Sequence, residues 1–177
     1  MIEERGYVDR IIWEEFHYNS KFILAVIKTY EEALGVYAGD GKYARIQFSS
    51  SLNFCWRRFV VLKEMYHCML DMTDAERVST PDGLMRLAEQ LVAPGLDVEV
   101  AGFEAFETES IAEVLALETL FPLELRQYHS KDFEDGNITA YQLALRYRIP
   151  ELYVEYGMHP HYMQAINEWR GEDNLVL

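Results

Sequence analysis

Three side chains that can donate, accept or coordinate stand between residues 63 and 67 of the sequence. They are Lys63, Glu64 and His67, and the apolar residues around them recur at the spacing of a buried helix. Residues four apart share a helix face, so Lys63 and His67 lie side by side and Glu64 lies one step round. The sequence therefore predicts a helix over about residues 54–71 that presents an amine, a carboxylate and an imidazole together.

The spacing of these residues is that of the zinc-binding motif H-E-x-x-H, with a lysine in place of the first histidine. In that motif two histidines coordinate the metal, and the glutamate handles the proton of the zinc-bound water. A protonated lysine has no lone pair to give to a metal ion, and its positive charge repels one. The segment therefore has the frame of a metalloprotease helix without one of its ligands.

A second helix is predicted over residues 108–121 and is ended by Pro122. One of its faces combines acidic and small residues, namely Glu109, Ala112, Glu113, Ala116 and Leu120. The alanines allow another helix to approach closely, whereas two glutamates are costly to bury without a cation. The alternative is a solvated acidic face, and the adjacent alanines argue against it.

These two segments together resemble the ImmA/IrrE family of zinc metallo-endopeptidases. Residues 57–70 are similar to its helix R-x-x-x-x-x-H-E-x-x-H-x-x-L, and residues 109–122 are similar to its second signature, E-x-x-A-[ND]-x-[FL]-A-x-x-L-L-[MF]-P. Two positions depart from the second signature, since Glu113 stands where asparagine or aspartate is usual and Thr119 replaces a leucine. The resemblance extends over about residues 36–157.

The resemblance implies a zincin-type α+β fold, predominantly helical, with a small β-ribbon or sheet and a short helical C-terminal tail. It aligns His67 and Glu109 with zinc ligands, Glu64 with the general base, and Lys63 with the missing first histidine. Members of the family cut, or promote the cutting of, helix-turn-helix repressors, often in prophages, mobile elements or stress responses.

The lysine decides the functional prediction. Two remaining ligands hold zinc poorly, and without zinc no bound water is acidified for Glu64 to activate. We predict that no cofactor binds and that the ammonium of Lys63 instead faces Glu109, together with Glu113 or Glu64, through charge-assisted hydrogen bonds. The active site is then vestigial, and an ordinary surface helix at residues 63–67 is the plainer alternative.

Two further functions stay open. A working zinc metalloprotease requires a rebuilt ligand set, with a histidine such as His17 or His129 completing the site, or an unusual neutral lysine. A structural or assembly protein that retains the fold alone is the third possibility. Our first hypothesis is a non-catalytic homologue that binds a protein, such as a helix-turn-helix regulator or another phage or mobile-element protein.

Composition limits the choice of partners. The 177 residues carry 30 acidic and 16 basic side chains, a formal charge of −14, which argues against direct binding of nucleic acid or of an anionic membrane. A basic protein is compatible with that charge. Two cysteines, a charged N-terminus and no long apolar run predict a reduced cytoplasmic protein, and the oligomeric state stays open.

The rest of the chain is predicted from periodicity and turn residues. Residues 7–34 show helical spacing, and residues 36–38 and 43–48 flank an Asp-Gly turn at 39–42 and predict a β-ribbon. A helix begins near Thr80, residues 96–106 form a weak strand or a loop, and short helices follow at 123–129, 139–147, 151–157 and 161–170. We predict a core at residues 1–122 and a helical extension at residues 123–177.

Overall fold

The computed structural model describes residues 8–17, 24–33, 40–70 and 101–173. Within these ranges the protein is α+β and mainly helical, as predicted, and the zincin-type likeness stays a prediction. The described elements are three strands, β1 (Arg10–Phe16), β2 (Ala25–Ala33) and β3 (Asp40–Ser49), and six helices, α1 (Phe54–Met69), α2 (Ala101–Leu120), α3 (Leu123–Glu134), α4 (Ala140–Tyr147), α5 (Glu151–Gly157) and α6 (Pro160–Asp173).

The described residues divide into two compact units. The first contains the described residues up to Leu52 and those from Val60 to Leu115, and the second contains Asn53–Phe59 and the described residues from Ala116 onward. Helices α1 and α2 each contribute residues to both units. The predicted division into residues 1–122 and 123–177 stays a prediction.

The three strands of the first unit form one mixed sheet in the order β1-β3-β2. Strand β3 pairs in parallel with β1 and antiparallel with β2, so that Ile46 lies between Trp13 and Ile27. Side chains alternate across a sheet, and every second residue of β3 therefore points to one face. On that face Ala44 and Ile46 are fully buried and form the centre of the apolar core.

Helix α1 covers this face of the sheet with one of its own faces. Cys68 belongs to the same core cluster, and Val61, Met65 and Met69 pack against it at helical spacing. Lys63 and His67 lie on the opposite side of the helix, so this packing directs them away from the sheet, whereas Glu64, four residues before Cys68, lies at the border between the two faces. The hydrophobic contact between α1 and the sheet therefore sets the direction in which the three chemically active side chains point.

The predicted helix over residues 7–34 is wrong in its described parts. Residues 10–16 and 25–33 are strands, each paired along its length with β3. The apolar residues of this region satisfy helical spacing, but they are rich in β-branched and aromatic types that fit a pleated surface. These segments are strands because they pair with β3, and the spacing of apolar residues within a segment does not reveal its pairing with another segment.

The predicted β-ribbon is correct in one strand and wrong in its turn. Residues 43–48 lie in β3, but Asp40, Gly41 and Lys42 also belong to that strand, opposite Ala33, Glu32 and Glu31 of β2. The Asp-Gly pair is therefore extended rather than a hairpin turn. The other proposed strand, residues 36–38, and Gly39 lie outside the described residues.

Helix predictions from residue 54 onward fare better. Helix α1 is confirmed, ending at Met69, and α2 is confirmed but begins at Ala101, so the strand or loop predicted for residues 101–106 is wrong. The four tail helices are also confirmed, with the α4 start fixed by a capping box between Thr139 and Gln142. The predicted helix near Thr80 and residues 96–100 lie outside the described residues.

The second unit is organised around a buried cation. Arg126 of α3 is fully buried, forms an ion pair with Glu118 of α2, and donates to the carbonyl oxygen of Gly157 at 3.2 Å. A Cβ atom on Gly157 would lie 3.3 Å from Arg126 Cδ and from Leu117 Cδ2, so a side chain there would press on both residues. Arg126 thus joins α2, α3 and α5.

Truncation of Ile46 tests whether the sheet supports α1. Ile46→Ala should lower the free energy of unfolding by about 2–5 kcal/mol, because it leaves a cavity in the core beneath the helix. Urea denaturation followed by circular dichroism measures the change. Glu32→Ala, at an exposed position of β2, should stay within about 0.5 kcal/mol of the wild type, and an equally small loss for Ile46→Ala would contradict this assignment of the core.

Candidate functional site

Four of the predicted site residues come together in the first unit. Lys63 is at the centre, where its ammonium group donates to Glu109 Oε1 and lies 3.2 Å from Glu64 Oε1. His67 Nε2 lies 3.0 Å from the other oxygen of Glu109. The two oxygens of Glu109 therefore face two neighbouring side chains of α1, a lysine and a histidine four residues apart.

This cluster is shielded from solvent. The side chain of Glu64 is fully buried, that of His67 is 1% exposed and that of Lys63 is 13% exposed, whereas Glu109 is 23% exposed. Burial makes an uncompensated charge expensive, so the ammonium and the carboxylates depend on each other.

Local sequence explains how the helices bring these groups together. On α1, the i, i+4 spacing aligns Lys63 with His67, and Glu64 follows one residue later. On α2, Ala112 lies one turn beyond Glu109 and is fully buried. Its small side chain leaves space beside Glu109, which suits the close approach that the contacts of Glu109 with α1 require.

Opposite charges shift the titration of both members of the ion pair. Burial alone disfavours the ammonium of Lys63, but the carboxylates of Glu64 and Glu109 outweigh burial and raise its pKa. Burial likewise opposes ionisation of Glu109, but a hydrogen bond from His67 and the charge of Lys63 lower its pKa to about 2. Lys63 is therefore a cation at neutral pH, and Glu109 is its anion.

The donor set does not fit the zinc ion that the resemblance implies. His67 and Glu109 provide two donors of suitable type, but the position of the third is taken by an ammonium group that bonds to one of those donors. Among the described residues, no group of three or more histidine, cysteine, aspartate or glutamate side chains is arranged to hold a metal ion. Protonated Lys63 has no lone pair with which to complete the set.

The other histidines considered as replacement ligands have different partners. His17 is exposed, and its Nδ1 lies 2.6 Å from Ser50 Oγ. His129 is buried in the second unit, where its Nε2 lies 2.7 Å from the hydroxyl of Tyr147. Neither contact supports the alternative in which His17 or His129 completes a zinc site.

Sequence reasoning left two features of the site undetermined. It named Glu113 and Glu64 as alternative second partners of Lys63. The structure places the ammonium group 3.2 Å from Glu64 Oε1, and Glu113 is half-buried one turn beyond Glu109 on α2. It also did not foresee that His67 approaches Glu109 directly. The family resemblance could have predicted this contact, because it aligns His67 and Glu109 with two ligands of the same metal ion.

Comparisons with known proteins identify no relative. No protein-family model matches the chain, and searches of curated proteins and of solved structures found no match.

Within the residues that the structure describes, no helix combines the length and the apolar character that crossing a membrane would require.

Removal of the ammonium group should destabilise the fold. Lys63→Met keeps most of the side-chain volume but leaves the buried carboxyl groups without their cation, and we expect a loss of about 3–5 kcal/mol in the free energy of unfolding. Chemical denaturation at neutral pH measures it. Lys63→Arg, which retains the charge, should lose less, and Lys28→Met at an exposed position of β2 should lose almost nothing. A Lys63→Met protein as stable as the Lys28→Met control would show that the ion pair is dispensable.

The acid limb of the stability profile should report Glu109. Its pKa falls from 4.5 to about 2 on folding, so its contribution is complete above pH 4.5 and disappears as the pH falls towards 2. Lys63, whose pKa is raised, contributes fully below its unfolded value of 10.5 and loses its contribution only at higher pH. The ion pair of Lys63 and Glu109 should therefore make a constant contribution to the free energy of unfolding between about pH 4.5 and pH 10.5.

Glu109→Gln isolates this effect from that of other acids. The difference in unfolding free energy between the wild type and this variant should shrink on acidification from pH 5 to pH 2 by on the order of 3 kcal/mol, since one pKa unit corresponds to about 1.4 kcal/mol. Glu155→Gln, at an exposed position of α5, is the matched control and should show no such change. A difference that does not vary with pH would exclude Glu109 as an ionised partner.

Proposed function

We propose that this protein is a catalytically inactive homologue of the ImmA/IrrE metallopeptidases that acts by binding another protein. The observation that carries the proposal is the ion pair of Lys63 with Glu109, formed between the two segments that resemble the family signatures. In this proposal the ammonium group stands in place of the metal, and it joins two helices that a zinc ion would otherwise join.

The chemistry of the cluster supports a loss of peptidase activity. Peptide hydrolysis by such a site depends on a metal that lowers the pKa of a bound water to about 7. Lys63 offers no electron pair to a metal, and it occupies Glu109, one of the two remaining donors. Glu64, the residue aligned with the general base, is fully buried beside the ammonium. A role in binding then requires only that the fold be preserved.

Charge supports a basic protein partner. The chain carries a net charge of −14, which repels nucleic acid and favours association with positively charged surfaces. Helix α5 exposes Glu151 and Glu155 and contains no basic residue, so it lacks the positive charge of a DNA-recognition helix. A helix-turn-helix regulator presents a basic DNA-binding face, and it is the partner that the family resemblance favours. We place this interaction in the cytoplasm.

The proposal is tested by identifying a binding partner and by asking whether the protein cleaves that partner. Tagged protein is cross-linked in its native host, captured partners are identified by mass spectrometry, and a helix-turn-helix regulator found among them is purified. We expect calorimetry to show a direct complex whose affinity weakens as salt concentration rises, because attraction between opposite charges is screened. Intact-mass measurement should show the regulator uncleaved after prolonged incubation with zinc.

Cleavage of the regulator by the wild type, abolished both by a chelator and by Glu64→Gln, would establish the enzyme instead. Direct binding that requires DNA, or that strengthens with salt, would also contradict a basic protein partner. The Glu64→Gln variant should still bind the regulator, provided that circular dichroism shows it to be folded, because Glu64 belongs to the buried charged cluster and the proposal assigns it no catalytic role.

A further inference from the structure

Two packed helices of the second unit, α4 and α5, expose four large apolar side chains. Tyr141 and Leu145 of α4 and Leu152 and Tyr156 of α5 are each between 56% and 59% exposed. Within each helix the two residues are four positions apart, so they form a short apolar stripe. Single apolar residues are common on protein surfaces, whereas two such stripes on packed helices give a larger apolar surface, of the kind that marks an interaction site.

The same helices also have an inward apolar face. Leu143 and Ala144 of α4 and Val154 of α5 are buried, and so is Ile149 in the turn between them. The hydrophobic packing that holds the two helices in the fold is therefore provided by other residues than the exposed ones. The exposed stripes are a second apolar face of each helix, beyond what the fold requires.

The turn between α4 and α5 is supported by side-chain contacts and carries a positive charge. Arg148 ends α4 in the left-handed conformation (φ 55°, ψ 49°), which favours glycine. Arg58 donates to the carbonyl oxygen of Tyr147 at 2.6 Å and so stabilises the turn. The guanidinium of Arg148 lies 5.8 Å from the centre of the Phe54 ring, which is itself exposed. A cation and a further apolar side chain thus lie next to the two helices.

Charged residues of both signs accompany the apolar stripes. Arg146 and Arg148 are exposed at the end of α4, and Glu151 and Glu155 are exposed on α5. Within the part of the chain that the structure describes, none of these four side chains forms an ion pair. The α4 side of the surface is therefore basic, and the α5 side is acidic.

We propose that this surface is the interface of a homodimer, in which α4 and the turn contact α5 of a second copy. In a two-fold symmetric interface each contact occurs twice, so a patch with a basic side and an acidic side is complementary to itself. The arginines of one chain then face the glutamates of the other, and the apolar stripes of both chains are covered. Contact of α5 with α5 would instead bring glutamates together, which is unfavourable.

Charge complementarity favours a second copy over other occupants of the surface. Glu151 and Glu155 repel the phosphates of DNA, and Arg146 and Arg148 repel a uniformly basic protein segment. The net charge of −14 opposes self-association, but charges more than about 8 Å apart are largely screened at physiological ionic strength. Contacts at the interface therefore decide the outcome. The homodimer is independent of the proposed binding of a regulator.

Sedimentation equilibrium of the full chain tests the proposal, and we expect a reversible equilibrium between monomer and dimer. Leu145→Ser/Leu152→Ser should weaken dimerisation at least about 10-fold, because symmetry removes each apolar side chain twice. Tyr128→Ser, at an exposed position of α3, is the matched control and should leave the affinity unchanged. Circular dichroism should show both variants melting close to the wild type, since all three side chains are exposed.

An exchange of charges tests which helices meet. Arg146→Glu/Arg148→Glu makes the whole surface acidic, and Glu151→Arg/Glu155→Arg makes it basic. Each variant alone should be monomeric at concentrations where the wild type is dimeric. Their equimolar mixture should form a heterodimer, because every contact between α4 and α5 then joins opposite charges.

Three results would overturn the homodimer. The first is a wild type that stays monomeric at every concentration reached. The second is a dimer whose affinity does not change in Leu145→Ser/Leu152→Ser, since its interface would then lie elsewhere. The third is a mixture of the two folded charge variants that does not associate. None of these results affects the proposal that the protein binds a regulator, which cleavage of that regulator would refute.

Discussion

The arrangement of the first unit depends on a largely buried ion-pair cluster, in which one lysine balances two carboxyl groups. The ammonium of Lys63 lies against Glu109 and 3.2 Å from the fully buried Glu64. Each group is unfavourable in a low-dielectric interior by itself, and each becomes tolerable through the others. The contact also joins α1 to α2, so the geometry of the site and the cost of disturbing it have the same origin.

The sheet and the charged cluster use different faces of α1. Val61, Met65 and Cys68 pack on the sheet, Lys63 and His67 lie on the opposite side of the helix, and Glu64 lies at the border between the two faces. The residue types at positions 63 and 67 can therefore change without loss of the hydrophobic packing between α1 and the sheet. This is the physical reason why a fold built around a metal could survive the exchange of a ligand for a lysine, as we propose for this protein.

Local patterns predicted the parts of the structure that local interactions determine. Helix α1 follows from its apolar spacing, the end of α2 from Pro122, and the start of α4 from the capping pair of Thr139 and Gln142. The pairing of Lys63 with an acid on α2 could also be anticipated, since a buried lysine requires an anion. Its second partner could not be chosen between Glu64 and Glu113, because that choice depends on how the helices face each other.

Predictions failed where pairing between distant segments decides the structure. Residues 10–16 and 25–33 satisfy helical spacing, and only their register with β3 makes them strands. The Asp-Gly pair at residues 40–41 is a strong turn signal, yet it lies in the strand opposite Ala33 and Glu32. The close contact of His67 with Glu109 is likewise a product of the packing between α1 and α2.

An experimental electron-density map of the site tests the central claim most directly. Protein produced with zinc in the growth medium should be crystallised, and diffraction data should be collected on both sides of the zinc absorption edge. We predict density for the Lys63 ammonium against Glu109 and Glu64, with no anomalous signal between His67 and Glu109. A strong anomalous peak bonded to His67 and Glu109, with Lys63 turned away, would contradict the replacement of a metal by an ammonium group.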